Sequence, residues 1–191
     1  MSSSRRAVLS WLLCAAGSAT WAGRAAASLA RPLELEPLCA MSRVALVGRA
    51  LAAESRWETI GEQRRIITTT RVHVEDVIAG SDLGSEVLVR TLGGRVGDVG
   101  QIVHGEAFLL LGERAVLLLM EASGGALHVS AMAQGHYPVR NDPSRVPRLA
   151  RSPRMPELVG RTGQSAVERL HRQPLDEGRR RIAEAWKHAR R

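Results

Sequence analysis

The stretch TLGGRVGDVGQIVHGEA, residues 91–107, contains the residue types with the clearest capacity for chemistry: a glycine cluster followed by a histidine and a glutamate. A glycine loop binds phosphate when it leads from a strand into a helix, whose N-terminus offers free N–H groups and a positive dipole. The residues after this cluster are typical of a strand, and neither the dinucleotide-binding nor the P-loop spacing is present. We therefore predict a wide turn or bulged hairpin, in which Gly93, Gly94 and Gly97 adopt positive φ angles or allow close approach of another strand.

Two side chains accompany the glycines as candidate binding residues. Arg95 lies among them and becomes a binding residue if the loop is exposed and contacts a partner, which is the alternative interpretation of this loop. Trp57 offers a flat surface on which a sugar or a base can stack. The other interpretation of Trp57 is a cap on the end of the fold.

His104 and Glu106 are the candidates for acid–base chemistry, because they alternate on one face of a predicted strand beside the glycine cluster. A metal or acid–base site assembled across strands is one interpretation, and two solvated side chains on a strand face are the other. No pair of histidines or cysteines has the spacing of a zinc site. The sequence therefore predicts no catalytic residue, no metal and no other cofactor.

The N-terminal segment, residues 1–30, has the three parts of an export signal peptide. Arg5 and Arg6 form a charged head, an apolar run follows, and small residues place a cleavage site after Ala27 or after Ala30. The adjacent arginines resemble the bacterial twin-arginine signal, and an ordinary secretion signal is the alternative. The sequence predicts an exported protein, periplasmic or secreted.

Residues 31–142 are predicted to form an all-β domain. Ile66, Thr68, Thr70 and Val72 alternate with polar residues, which is typical of a strand with one buried face. The turn signals between apolar segments predict five to seven short strands in a small closed or partly open barrel of the oligonucleotide/oligosaccharide-binding (OB) type. The predicted strands lie within 43–49, 66–80, 85–92, 106–111, 114–120 and 126–142.

The C-terminal part differs in composition from the strands. Residues 143–163 are rich in proline and are predicted to form a linker or a strap over the barrel, and residues 164–191 a basic helical tail. The tail has three interpretations: a helix docked through Ile182 and Trp186, contact with an anionic membrane surface through 177–191, or binding of an acidic polymer or partner protein. The alternative to all three is a solvated, partly frayed helix. We predict no specific binding of nucleic acid.

Four segments carry a resemblance to a known family: ESRW (54–57), ITTTRVHVEDVIAG (67–80), the stretch from the glycine cluster through GEAFLLLGERAVLLL, and AQGHYPV (133–139). They resemble a set of uncharacterised exported bacterial proteins with an OB-like barrel, most similar to the netrin-like module of tissue inhibitors of metalloproteinases. In those inhibitors the amine and carbonyl of an N-terminal cysteine, which disulfides hold in place, chelate the catalytic zinc. Cys39 lies several residues from either predicted terminus and has no partner, so the resemblance does not imply that mechanism here.

The sequence predicts an exported, non-enzymatic binding or interaction module whose ligand it does not identify. Two alternatives stay open: a metalloprotease-associated or inhibitor-like module, and a hydrolase with a site near His104 and Glu106. The scarcity of aromatic residues, 3% of the chain, leaves an aliphatic core in either case.

Overall fold

A computed structural model of the protein describes residues 29–81, 83–122, 125–159 and 165–191. Arg5 and Arg6, with the rest of the segment before residue 29, lie outside these residues, so export stays a prediction.

Strands are the predominant regular structure of the described chain, as the sequence predicts. They are β1 (Leu29–Ala30), β2 (Val44–Ile60), β3 (Gln63–Gly80), β4 (Glu86–Leu92), β5 (Gly94–Val96), β6 (Val99–Gln101), β7 (Arg114–Glu121), β8 (Leu127–Val129), β9 (His136–Asn141), β10 (Pro147–Leu149) and β11 (Glu157–Leu158). The helices are α1 (Leu35–Ala40), α2 (Ala166–Leu170) and α3 (Leu175–His188), with a 3-10 turn at Met132–Gly135.

Seven strands form one sheet in the order β10-β9-β7-β2-β3-β4-β8. Strand β8 also pairs with β7, so that β7, β2, β3, β4 and β8 return on themselves and part of the sheet forms a ring. The pairings in this sheet are antiparallel except for the parallel contact of β4 with β8. The ring leaves β4 and β7 without a free edge along the residues that β8 covers.

The long hairpin of β2 and β3 confirms the strand predicted from alternation. Val72 and Thr70 are buried on one face, while Arg71 and His73 are exposed on the other. Register shifts interrupt the pairing of β2 with β3 in three places, and such bulges bend and twist a hairpin. The bend allows one hairpin to contribute to the ring and to extend beyond it.

Two apolar cores lie on opposite faces of β2 and β7. The inner core fills the ring with residues such as Val44, Leu46 and Leu117. The outer core joins Val47 and Leu118 to the three helices. Because both faces are covered, β2 and β7 carry continuous apolar runs rather than an alternating pattern.

Two predicted strands are wrong. Residues 106–111 form an irregular segment with no strand pairing. Both edges of β7 already pair with other strands, and the Leu92 N–H at the end of β4 binds the Glu106 carboxylate instead of a backbone carbonyl. The predicted strand over 126–142 is divided into β8 and β9, since Ala131 and Met132 adopt left-handed φ angles of 50° and 58°. This break lets β8 pair with β4 while β9 pairs with the other half of β7.

The basic helical tail docks on the sheet, which is the first of its three interpretations. Ile182 and Trp186 lie in the outer core with Cys39 of α1. The Arg190 guanidinium stacks 3.6 Å from the centroid of the Trp186 ring and donates to the Ser42 carbonyl oxygen. None of the helices among the described residues is long and apolar enough to cross a membrane. Contact of 177–191 with a membrane surface or a polymer stays a prediction.

The proline-rich segment is held against the rest of the protein over much of its length. Strand β10 pairs with β9, and β11 pairs in parallel with β1. The structure therefore favours the predicted strap over a free linker in these residues.

The docked tail predicts a loss of stability when its apolar contact is removed. Ile182→Ala deletes a fully buried side chain and should lower the free energy of unfolding by about 2–5 kcal/mol. The matched control Lys187→Ala alters an exposed residue of the same helix and should change it by no more than about 0.5 kcal/mol. Urea denaturation measures both values, and equal stability of the two variants would contradict the docking.

Candidate functional site

The glycine cluster forms a hairpin, as predicted. Strands β5 and β6 are joined at Gly97 and Asp98, and Gly93, Gly94 and Gly97 have φ angles of 92°, 134° and 58°. A Cβ atom on Gly94 would lie 2.5 Å from Ser55 Oγ and even closer to Thr68 Oγ1. Only a glycine at position 94 lets the hairpin lie this close to β2 and β3. The glycine cluster therefore has a structural role, and it leads into β6 rather than into the helix that a phosphate-binding loop requires.

A groove of about 600 Å³ lies between this hairpin and the irregular segment 107–111. One wall is formed by hydroxyl groups on β2, β3 and β4, which we call the hydroxyl wall. The opposite wall is the segment 107–111, which we call the apolar wall. The residues that line the groove are Ala53, Ser55, Thr68, Thr70, Thr91, Leu92, Gly93, Gly94, Arg95, Gly100, Gln101, Ile102, Ala107, Phe108, Leu109, Leu110, Leu111 and Arg154.

The hydroxyl wall continues the inner face of the ring. Thr70 pairs with Val89 and Thr68 with Thr91 across β3 and β4. Because side chains two residues apart share a face of a strand, these threonines lie beyond the valines of the inner core, on the same side of the sheet. The hydroxyl wall therefore begins where the apolar side chains of the inner core end.

Two of the hydroxyl groups have hydrogen bonds and two do not. Ser55 Oγ and Thr68 Oγ1 are 2.8 Å apart, and Thr68 also donates to the Gly93 carbonyl oxygen at 2.6 Å. Thr70 and Thr91 are only 1% and 6% exposed, and their hydroxyl groups have no hydrogen-bond partner among the residues that the structure describes. A ligand in the groove can therefore donate to or accept from these two hydroxyl groups.

The apolar wall is held in place by Glu106. The buried Glu106 carboxylate accepts hydrogen bonds from the backbone N–H groups of Ala107 at 2.9 Å and Leu92 at 3.3 Å. Burial raises the pKa of Glu106, an effect that these two N–H groups oppose. These contacts fix the start of the apolar wall to the end of β4, so Glu106 holds one wall of the groove without lining it.

His104 does not share a site with Glu106. The expected strand is absent, and the exposed His104 side chain lines an adjoining pocket of about 280 Å³ with Met155, Pro156 and Glu157. This pocket shares Ile102 and Arg154 with the groove. The prediction that His104 and Glu106 share one strand face is therefore wrong, because the chain turns at His104 and Gly105.

Two arginines give the groove a positive charge. The Arg154 guanidinium stacks on the Phe108 ring, 4.1 Å from its centroid. Arg95 donates through Nε to the Gly97 carbonyl oxygen at 2.9 Å. Among the described residues neither arginine forms an ion pair, and no acidic residue lines the groove.

Trp57 lies outside the groove lining. It pairs with Ile66 near the tip of the long hairpin, and the Arg64 guanidinium lies 5.0 Å from its ring centroid. Of the predicted binding residues, the structure brings Gly93, Gly94 and Arg95 together in the groove and places Gly97 at the hairpin turn.

The sequence prediction missed the threonines of the hydroxyl wall, Phe108 and Arg154. The alternation in β3 already places Thr68 and Thr70 on one face, which was an available signal. No local pattern joins Arg154 to Phe108, since their contact depends on the course of the strap.

A second polar cluster lies inside the fold and has little room. His136 and Glu113 line a cavity of about 10 Å³, which is the space of about one water molecule. Burial lowers the pKa of His136 to about 4, with a smaller effect from Arg140, and its Nδ1 lies 3.0 Å from Ser152 Oγ.

Within the described ranges no group of three or more histidine, cysteine, aspartate or glutamate residues is placed to hold a metal ion.

The comparisons with known proteins identify no family. No protein-family model matches the chain, and no curated protein matches it. Function is therefore argued from the geometry of the groove.

The hairpin geometry predicts different results for two glycine substitutions. Gly94→Ala adds a Cβ that overlaps Thr68 and Ser55 at a positive φ, and should cost about 2–4 kcal/mol of unfolding free energy. Gly97→Ala also has a positive φ but meets open space, and should cost about 1 kcal/mol. Thermal and urea unfolding compare the two variants. If Gly97→Ala proves at least as damaging, the close approach at Gly94 is not what the hairpin requires.

Proposed function

We propose that this protein is an exported, non-enzymatic binding module and that its ligand lies in the groove. The observation that carries the proposal is a groove with four hydroxyl-bearing residues on one wall and exposed apolar side chains, among them Phe108 and Leu111, on the other. A groove of about 600 Å³ with apolar lining and a few polar groups is typical of small-molecule sites.

The composition of the lining supports binding rather than catalysis. The residues that surround the groove include no histidine, cysteine, aspartate or glutamate. The Ser55 and threonine hydroxyl groups in the lining therefore have no such side chain among the lining residues to act as a general base. Glu106 lies beneath the apolar wall with its oxygens bonded to backbone N–H groups. A hydrolase near His104 and Glu106 gains no support from this arrangement.

The ring of strands supports the OB-like barrel that the sequence predicts. We infer a small, partly open barrel whose polar end is the groove, with the β5–β6 hairpin and the apolar wall at its mouth. Binding in the mouth of a barrel is common among such folds.

The inhibitor-like alternative has no supporting contact. Cys39 lies inside α1 and is buried. Its Sγ is 3.9 Å from the Ile182 carbonyl oxygen, and burial raises the pKa of the thiol to about 12. The inhibitors chelate zinc through the amine and carbonyl of a terminal cysteine. In Cys39 the nitrogen is a chain amide, and the carbonyl oxygen accepts from the Ser42 N–H at 3.1 Å.

The pairing of β1 favours one of the two predicted cleavage sites. Leu29 and Ala30 pair in parallel with Glu157 and Leu158, and the Val159 N–H donates to the Ala30 carbonyl oxygen at 3.0 Å. Cleavage after Ala27 keeps these bonds, whereas cleavage after Ala30 removes them. The intact mass of the exported protein should therefore correspond to a chain that begins at Ser28. A chain beginning at Arg31 would contradict the role given to β1, and an uncleaved cytoplasmic protein would contradict export.

Filling the groove should abolish binding of an uncharged apolar probe. Ala53 lines the groove and is exposed, and its neighbour Ala52 is exposed on the opposite face of β2. Ala53→Trp should weaken the binding of N-phenyl-1-naphthylamine at least tenfold, because the indole occupies the space of the probe. The matched control Ala52→Trp should stay within twofold of the unmodified protein.

Fluorescence titration measures both affinities, and circular dichroism confirms that the two variants are folded. Equal binding by Ala53→Trp and Ala52→Trp, or no binding by the unmodified protein, would contradict a ligand site in the groove.

A further inference from the structure

We propose that the ligand is a small amphiphile, an apolar molecule with one carboxylate or phosphate group, and that Arg154 binds this anionic group. The inference rests on the proposed function, since it names the class of ligand that the groove takes. It depends on three features: an arginine without an ionic partner, an apolar wall, and a lining without acidic residues.

Several arginines of this protein form ion pairs with carboxylates. Arg169 binds Glu36 with both carboxylate oxygens within 2.9 Å, Arg179 binds Asp76 at 2.6 Å, and Arg90 pairs with Glu58. Arg154 forms no ion pair with any described residue. A half-buried guanidinium without a counter-ion at the rim of a groove is suited to bind an anion from outside.

The stacking on Phe108 orients the Arg154 guanidinium for binding an anion. With one face of the guanidinium against the ring at 4.1 Å, the N–H donors at its edge remain free to bind two oxygen atoms at once. Carboxylate and phosphate groups have the matching geometry. Lysine would supply the charge but not the planar pair of donors.

The strap holds Arg154 in position. Ser152 is buried, its hydroxyl lies 3.0 Å from His136 Nδ1, and its carbonyl oxygen accepts from the Met155 N–H at 3.1 Å. These contacts fix the turn that carries Arg154. The anion-binding group is therefore presented by a supported backbone rather than by a free chain end.

The charge of the groove selects against cations and favours anions. Arg95 and Arg154 both line it, and no acidic side chain does. In a partly enclosed groove with apolar walls the field of two arginines is less screened than on an open surface.

The apolar part of the ligand would lie along the apolar wall. Phe108, Leu110 and Leu111 are exposed, as is Ile102 beside them. Four large apolar side chains around one groove form a patch that a bound hydrocarbon chain would cover. The free hydroxyl groups of Thr70 and Thr91 lie on the other wall, where a polar atom of the ligand can bond them.

Displacement of N-phenyl-1-naphthylamine by four ten-carbon amphiphiles tests the inference. Decanoate, decyl phosphate, decanol and decyltrimethylammonium have the same chain and differ in the head group. Decanoate or decyl phosphate should displace the probe at a concentration at least tenfold lower than decanol does. Decyltrimethylammonium should be the weakest, and the ratio of the two anions shows which head group the rim prefers.

Two arginine-to-glutamine variants, which lose the same charge, test whether Arg154 causes the preference for anions. Arg154→Gln should reduce the preference for the anions over decanol to less than threefold. Arg151→Gln alters an exposed arginine three residues away that does not line the groove, and should keep the full preference. Arg154→Lys should give an intermediate value, and unfolding temperatures confirm that each variant is folded.

Each result supports or overturns the inference. Decanol displacing the probe as well as the anions do would overturn the anionic class, and a preference that survives Arg154→Gln would overturn the role of Arg154. In both cases, continued loss of probe binding in Ala53→Trp would leave the groove as the ligand site. Probe binding that is insensitive to Ala53→Trp would overturn the proposed function itself.

Discussion

Strand β7 pairs with three other strands, and this arrangement shapes the rest of the molecule. One edge of β7 binds β2, while the other edge is divided between β8 and β9. Its two faces contribute to the inner and the outer core. A strand with both edges and both faces in use has no room for a further partner, so the apolar segment 107–111 that precedes β7 cannot pair with it.

The groove is a consequence of that constraint. The segment 107–111 crosses the end of the ring as irregular chain, held by Glu106 at its start and by the hydrogen bond from the Gly112 N–H to the Ala50 carbonyl oxygen at its end. It faces the threonines of β3 and β4 across a space that neither side fills. A ligand in this space would cover exposed apolar side chains on one wall and could bond hydroxyl groups on the other.

The local predictions from the sequence were correct where one strand or one turn decided the structure. Alternation in β3 and the positive φ angles of the glycine hairpin depend on neighbouring residues. The apolar run at 109–111 was misassigned because apolar composition does not show whether an edge is free to pair. Arg154 was missed for a similar reason: its contact with Phe108 joins the strap to the apolar wall, and no spacing within the sequence encodes it.

A crystal structure of the protein with decyl phosphate or decanoate bound tests the central claim most directly, because it locates both ends of the ligand at once. The account predicts the anionic group within hydrogen-bond distance of the Arg154 guanidinium, and the hydrocarbon chain between Thr70 and the leucines at 109–111. An anionic group bound elsewhere, with Arg154 turned into solvent and the groove filled by the protein's own side chains, would contradict it.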